Sequence, residues 1–305
     1  MANLGFTLRD GRRVGLTTYG DPASRRVVVF CHPAPGTSSF DPDPVATDQA
    51  GVHVVGLDRP RYGASDPLPD GVWPTAWRSA DDIAEYLRAG QETAESIGGV
   101  HDLARVGVVG WGAGGAVALA FAARHPDLVH RVAVVGATAP HDQVPWIDEV
   151  LWHLAQLMAK RPPGEAVGRM SEEIERRWAD ALPPADPEAH VPLDTLGVGR
   201  ADAAALELPG VRDRLDRMLR DAFLQGGGGI VSDLLALTTQ PWGFDPSEVA
   251  SPVLLVYGEQ DVLAAPEHGR WYASTIPNAA LEVVPGAGHL VLVPQWRRVL
   301  DFVSA

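Results

Sequence analysis

The chain has 305 residues, 46% of them hydrophobic and 21% charged, and a formal net charge of −14. That length supports one large domain or two modest ones whose cores need no disulfide or metal, and the single Cys31 has no partner within the chain. The 25 basic residues form nothing longer than short pairs such as Arg12-Arg13 and Arg297-Arg298, which argues against nucleic acid as a partner.

No window is apolar for long enough to span a bilayer, and residues 1–10 lack the basic start and apolar run of a secretion signal, so a cytoplasmic location is expected. Taken in chain order, residues 5–9 and 13–19 flank the turn signal Asp10-Gly11 and predict an antiparallel hairpin at one edge of a sheet. Runs rich in Val, Ile and Leu at 26–30, 52–57, 106–109, 131–135, 253–257 and 281–284 predict short strands buried on both faces. Helical patterns at 80–95, 114–124 and 295–303 separate most of them. Alternating strands and helices predict an α/β fold with a mostly parallel sheet covered on both sides.

Between residues 139 and 240 the strand rhythm stops. The text becomes amphipathic, as in "WIDEVLWHLAQLMAK" and "GVRDRLDRMLRDAFLQ", and is broken by proline and glycine. The expected organisation is a core of residues 1–139 and 240–305 with an inserted helical cap at 140–239. Such a cap would stand above the strand C-termini, where open α/β sheets bind ligands. Within it, "QGGGG" at 225–229 reads as a loop or a hinge, and Trp146, Trp152, His141 and His153 either point down from the cap or, as such residues more often do, form its core, so they are assigned no role.

Five segments at strand ends carry the chemistry. "VVGWGAGGAVALAF" (108–121) passes from buried strand through a sharp glycine-rich turn into a small-residue helix, with the frame Gly110, Trp111, Gly112, Ala113, Gly114. "FCHPAPG" (30–36) and "DRPRYGASD" (58–66) precede it, and "GEQD" (258–261) and "PGAGHL" (285–290) follow. Together they resemble the α/β-hydrolase superfamily, in its capped small-molecule branch, over essentially the whole chain. The frame at 110–114 is that of a nucleophile elbow, G-x-S-x-G, with Gly112 at the nucleophile position, and the order nucleophile, acid, histidine falls at 112, 261 and 289.

The resemblance implies that Asp261 is the acid and His289 the base it orients. It makes "HPAPG" the oxyanion loop, with the backbone N–H groups of Ala34 and Ala113 as donors, although Pro33 stands where a glycine is usual. His32 and Trp111 are candidates to line the pocket. Other readings of these residues remain: Asp142 as the acid, Asp261 as a cap for the helix starting near Pro266, and His289 as a packed loop residue. Cys31, at the end of a buried strand, reads as inert. Ser38 and Ser39 lie in loops away from any elbow, Ser65 matches a structural serine of the family, and His125 closes the helix after the elbow against its dipole.

Gly112 changes the expected chemistry. Losing the serine of a serine hydrolase costs about 10⁶-fold in turnover, so an acyl-enzyme route is not expected, while space of about one water molecule opens beside His289. What remains is a general base, its carboxylate and two amide donors. The expectation is a cofactor-free enzyme that acts on a small carbonyl-containing molecule by non-covalent acid–base catalysis, as a lyase, cyclase, isomerase or water-activating hydrolase. The alternatives are a non-catalytic ligand-binding relative and a serine hydrolase whose nucleophile has been removed. No metal-ligand spacing or phosphate-cradling motif is present, so no cofactor or metal is expected; the partner is a small molecule, and nothing in the sequence sets the oligomeric state.

Overall fold

The computed structural model describes residues 2–96 and 105–305. Its eight strands are β1 (Ala2–Thr7), β2 (Arg13–Gly20), β3 (Val27–Cys31), β4 (His53–Leu57), β5 (Val106–Trp111), β6 (Val129–Val135), β7 (Val253–Gly258) and β8 (Ala279–Val284). They form one sheet in the order β1-β2-β4-β3-β5-β6-β7-β8. The β1–β2 and β2–β4 pairings are antiparallel and the rest are parallel, giving an α/β fold with an antiparallel hairpin at one edge.

β1 starts three residues and ends two residues before the expected strand, because Thr7 pairs with Arg13 and the turn already closes at Leu8, whose N–H donates to the Arg12 carbonyl, whereas β2 starts at Arg13 as expected. β5 runs two residues beyond its apolar core, since Gly110 and Trp111 keep register with Val134 and Val135. β8 departs from the expectation of burial on both faces: it is the edge strand, bonded only to β7, and several of its side chains are partly or fully exposed. The central strands β3 and β5 are buried throughout, as their unbroken apolar text requires.

Helices α1 (Pro44–Ala50), α2 (Ala76–Ser96) and α3 (Gly114–Arg124) lie between the early strands, and α9 (Pro266–Thr275) and α10 (Leu292–Val303) between and after the last. α2 begins four residues before its expected start, where the Thr75 hydroxyl accepts the Arg78 N–H. α10 begins three residues early, tolerating Pro294 because its first turn needs no internal N–H donors. One apolar cluster joins the sheet to α2, α3 and α9; a second, on the opposite face, joins it to α1 and α10 around Phe40 and Trp296.

Between β6 and β7 lie α4 (Glu149–Met158), α5 (Pro163–Arg177), α6 (Ala203–Leu206), α7 (Val211–Ala222) and α8 (Gly228–Thr238). This stretch does not pack as one piece. α4, α5 and α8 share a small core of their own, including Leu151, Met170 and Leu234, whereas Leu215, Met218 and Leu219 of α7 join the cluster of Phe40 and Trp296. The glycine run at 225–229 is not a loose hinge: Gln225 donates to the carbonyls of Gly63 and Ser65, Gly227 N–H donates to Glu175, and the run leads directly into α8.

Candidate active site

β5 ends in a turn that only small residues allow. A Cβ on Gly110 would stand 2.4 Å from the Gly114 carbonyl oxygen, and one on Gly114 would stand 2.0 Å from that of Cys31. Between them Gly112 adopts φ 55°, the left-handed region, and its N–H donates to Val135 at 3.0 Å. A Cβ at Gly112 would lie 3.7 Å from His289 Nε2 and 3.3 Å from Pro33 Cβ. The turn therefore aims residue 112 at the histidine although it carries no side chain.

His289 and Asp261 arrive on the loops that follow β8 and β7. Nδ1 of His289 is 2.8 Å from Oδ2 of Asp261, and both residues are buried. The other carboxylate oxygen accepts the N–H groups of Leu263 and Ala264, each at 2.9 Å, so one aspartate both holds the ring and shapes the turn before α9. Burial on its own would lower the pKa of His289, but the charge and hydrogen bond of Asp261, with a smaller contribution from Asp202, outweigh it and the net shift is upward. Burial likewise opposes ionisation of Asp261, yet His289 and the two amides bring its pKa below the ordinary value. Asp142, the alternative acid, is exposed and bonded to Gln143, so the geometry favours Asp261.

The loop bearing Ala34 is held by Arg59. Its guanidinium donates to the carbonyls of His32 (2.6 Å) and Pro33 (2.8 Å) and makes a two-point contact with Asp233 on α8 (2.8 and 2.7 Å). Tyr62 donates to the same carboxylate at 2.8 Å. Five hydrogen bonds thus tie the loop after β3, the loop after β4 and the helical stretch together in a buried setting. Arg59→Ala leaves the buried Asp233 carboxylate without its cation, held only by the Tyr62 hydroxyl, and removes a donor from the His32 and Pro33 carbonyls, and is expected to lower unfolding free energy by about 3–5 kcal/mol. Urea unfolding checks this, and a loss under about 1 kcal/mol would mean the cluster contributes no more than a surface pair.

A cavity of about 360 Å³ opens over this floor. Gly112, Ala113, Ala34, Gly136 and His289 line its base, and Trp146, Leu151, Trp178, Ile230 and Leu234 line its apolar walls. Two candidates do not reach it. His32 is fully buried behind the loop: its Nε2 accepts the Arg59 amide N–H at 3.0 Å, which leaves Nδ1–H to donate to the Pro33 carbonyl at 2.8 Å. Burial first, then the Arg59 charge, hold its pKa well below the ordinary value. Trp111 is also fully buried; its indole lies against Phe40 and His289, and its N–H donates to the His289 carbonyl at 3.3 Å, so it supports the loop bearing His289 from behind.

Sequence reasoning missed Asp233 and Arg59, which carry no motif beyond "DRPRYG", and Gly136, where a Cβ would stand 3.3 Å from Asp261 Oδ2. Trp146, assigned no role from the sequence, packs against the core of α4, α5 and α8 and also lines the cavity. His125 does close α3, but its ring bonds Asp81 at 2.8 Å. The Cys31 thiol is buried, which pushes its pKa up to about 12, and the Ser65 hydroxyl is used between the Asp58 carbonyl and the Gly15 N–H. Among the described residues, no group of three or more His, Cys, Asp or Glu is placed to hold a metal ion, and no helix is long and apolar enough to cross a membrane.

Comparison with known proteins agrees with this architecture. A family model described as alpha/beta hydrolase fold matches residues 26–294. A pimeloyl-[acyl-carrier protein] methyl ester esterase of Chromobacterium violaceum is 28% identical over 255 residues, covering 83% of this chain and 81% of the relative. A 2-hydroxy-6-oxononadienedioate/2-hydroxy-6-oxononatrienedioate hydrolase of Burkholderia vietnamiensis is 26% identical over 282 residues, covering 88% and 83%. The crystal structure of a hydrolase from Pseudomonas aeruginosa superposes with a TM-score of 0.67 at 22% identity, covering 99% of this chain and 98% of that one, a likeness of fold.

Proposed function

We propose, since this chain belongs to the alpha/beta hydrolase fold family, that it is an enzyme acting on a small carbonyl-containing molecule without a covalent intermediate, under a helical cap formed by residues 140–239. The observation that carries this reading is the buried His289–Asp261 pair aimed at a residue with no side chain, Gly112, at the base of a cavity. An acyl-enzyme needs a nucleophile at that point, and glycine supplies none. In its place, Nε2 of His289 removes a proton from the substrate itself or from a water molecule. The imidazolium so formed is stabilised by Asp261, and the electron pair released moves onto the substrate carbonyl oxygen, where the Ala34 and Ala113 amides receive it. The proton then returns from His289 to the product.

This sequence of steps suits elimination, retro-aldol or retro-Claisen cleavage, cyclisation, isomerisation and hydrolysis by an activated water. The names of both curated relatives contain a carbonyl compound, a methyl ester in one and a 6-oxo dienedioate in the other, which supports a carbonyl substrate here. The cavity is large enough for a small molecule and mostly apolar.

The test is turnover by His289→Ala against the parent on a panel of small carbonyl compounds, with products read by mass spectrometry. A loss of about 10²–10⁴-fold is expected. Unchanged turnover overturns the role of His289, and tight binding of a ligand with no product from the parent would favour a binding protein instead.

A further inference from the structure

Resting on the reading of His289 as the base, we propose that Asp202, from the helical stretch, is a positioning residue for it: the Asp202 carboxylate fixes the backbone that carries His289 and supplies a second negative charge to the imidazolium that forms during turnover. Asp202 ends a short 3₁₀ turn, Arg200–Asp202, directly before α6. It is 2% exposed, and one carboxylate oxygen accepts the N–H of Leu290, the residue after His289, at 2.7 Å. The other accepts the N–H of Gly199 at 2.8 Å and closes its own turn. One buried anion therefore ties residues 199–202 to the turn that presents the base.

Gly288 permits this contact. A Cβ there would stand 2.5 Å from both Asp202 oxygens, so any other residue before His289 would push the carboxylate away from the Leu290 N–H. Among the described residues Asp202 makes no ion pair with lysine or arginine, and its two backbone N–H partners only partly offset the cost of burying its charge. Protonation of His289 brings a positive charge into its reach and relieves part of that cost, which favours the imidazolium. Against burial, which lowers the His289 pKa, the Asp261 charge and then that of Asp202 raise it. The remaining titratable groups act less directly. His268 of α9 lies within reach of the Asp261 charge, and burial lowers its pKa. Asp148 and Asp233 line the cavity with His289 but are paired with Arg177 and Arg59, and Asp194 stands exposed in the same wall.

The experiment is an NMR titration of the His289 ring in the full chain with isotope-labelled histidines, its resonance being picked from the ten by its absence in His289→Ala. Asp202→Asn, which keeps size and removes the charge, is expected to move the titration to lower pH, in the same direction as Asp261→Asn and by a smaller amount. Its side chain can accept only one of the two N–H groups, so the Leu290 or the Gly199 amide should exchange with solvent about tenfold faster than in the parent. Asp202→Ser, neutral and shorter, is the second variant should the first not fold. A titration that stays in place or moves to higher pH, or two amides as protected as in the parent, overturns the proposal. Failure of both variants to fold overturns it too, because Asp202 would then be a requirement of the fold and not of the histidine. The ring is read without substrate, so the result is separate from turnover: a His289→Ala variant with full activity would defeat the catalytic reading without changing this titration.

Discussion

Gly112→Ser is expected to convert the protein into a covalent ester hydrolase that cleaves short activated esters and is labelled by a fluorophosphonate probe, while the parent does neither. A Cβ at this position lies 3.7 Å from His289 Nε2, so a hydroxyl one bond further can reach hydrogen-bond distance of the base. The ceiling on the gain is the cost of losing such a serine elsewhere, about 10⁶-fold. The variant should also be less stable by about 1–2 kcal/mol, because φ at residue 112 is 55° and a Cβ there is strained. Pro33 Cβ, at 3.3 Å, must also yield by a few tenths of an ångström. Gly112→Ala is the matched control, with the same backbone strain and no nucleophile. A folded serine variant that neither labels nor hydrolyses would mean that the base and the oxyanion amides are out of register, and would count against the proposed acid–base site as a whole.

The second large effect is expected from Asp261→Asn, a fall in turnover of about 10⁴-fold with little change in fold. The asparagine carbonyl can still accept the N–H groups of Leu263 and Ala264, which the carboxylate bonds at 2.9 Å. Its amide, however, can donate to Nδ1 and so transfer the ring proton to Nε2, where the base is needed. The pH profile supplies a separate readout. His289 acts as a base only when neutral, so activity falls as pH drops through its folded pKa, which lies above the ordinary histidine value because Asp261 outweighs burial. Removing that charge lets burial dominate, and the acidic limb should move to lower pH. A variant with the parental profile and undiminished turnover would mean that Asp261 only shapes its loop.

Much of this was written in local text. Strands β3 and β5 are continuous apolar runs because a sheet covered on both faces leaves no side for water, and the glycines at 110 and 114 mark a strand-to-helix turn in which any side chain would strike backbone. The order of the five strand-end motifs located Gly112, Asp261 and His289 along the chain, and the fold family follows from them. Edges were harder to read. β8 is as rich in valine as an inner strand, and only its place beside a single neighbour leaves it partly exposed.

What the tertiary structure alone decided is which distant groups meet. Asp233 reaches Arg59 across 174 positions, and no periodicity in α8 announces that its one acidic side chain holds the loop bearing Ala34. His32 looked like a pocket residue by its position in "FCHPAPG", yet both ring nitrogens are committed to backbone within the loops. Trp146 stands next to no motif, and it both packs against the core of α4, α5 and α8 and lines the cavity. The reason is physical: period, propensity and glycine sterics act over a few residues and can be read from the chain, whereas the direction of a side chain and its hydrogen-bond partner depend on how separate elements pack, which no local pattern encodes.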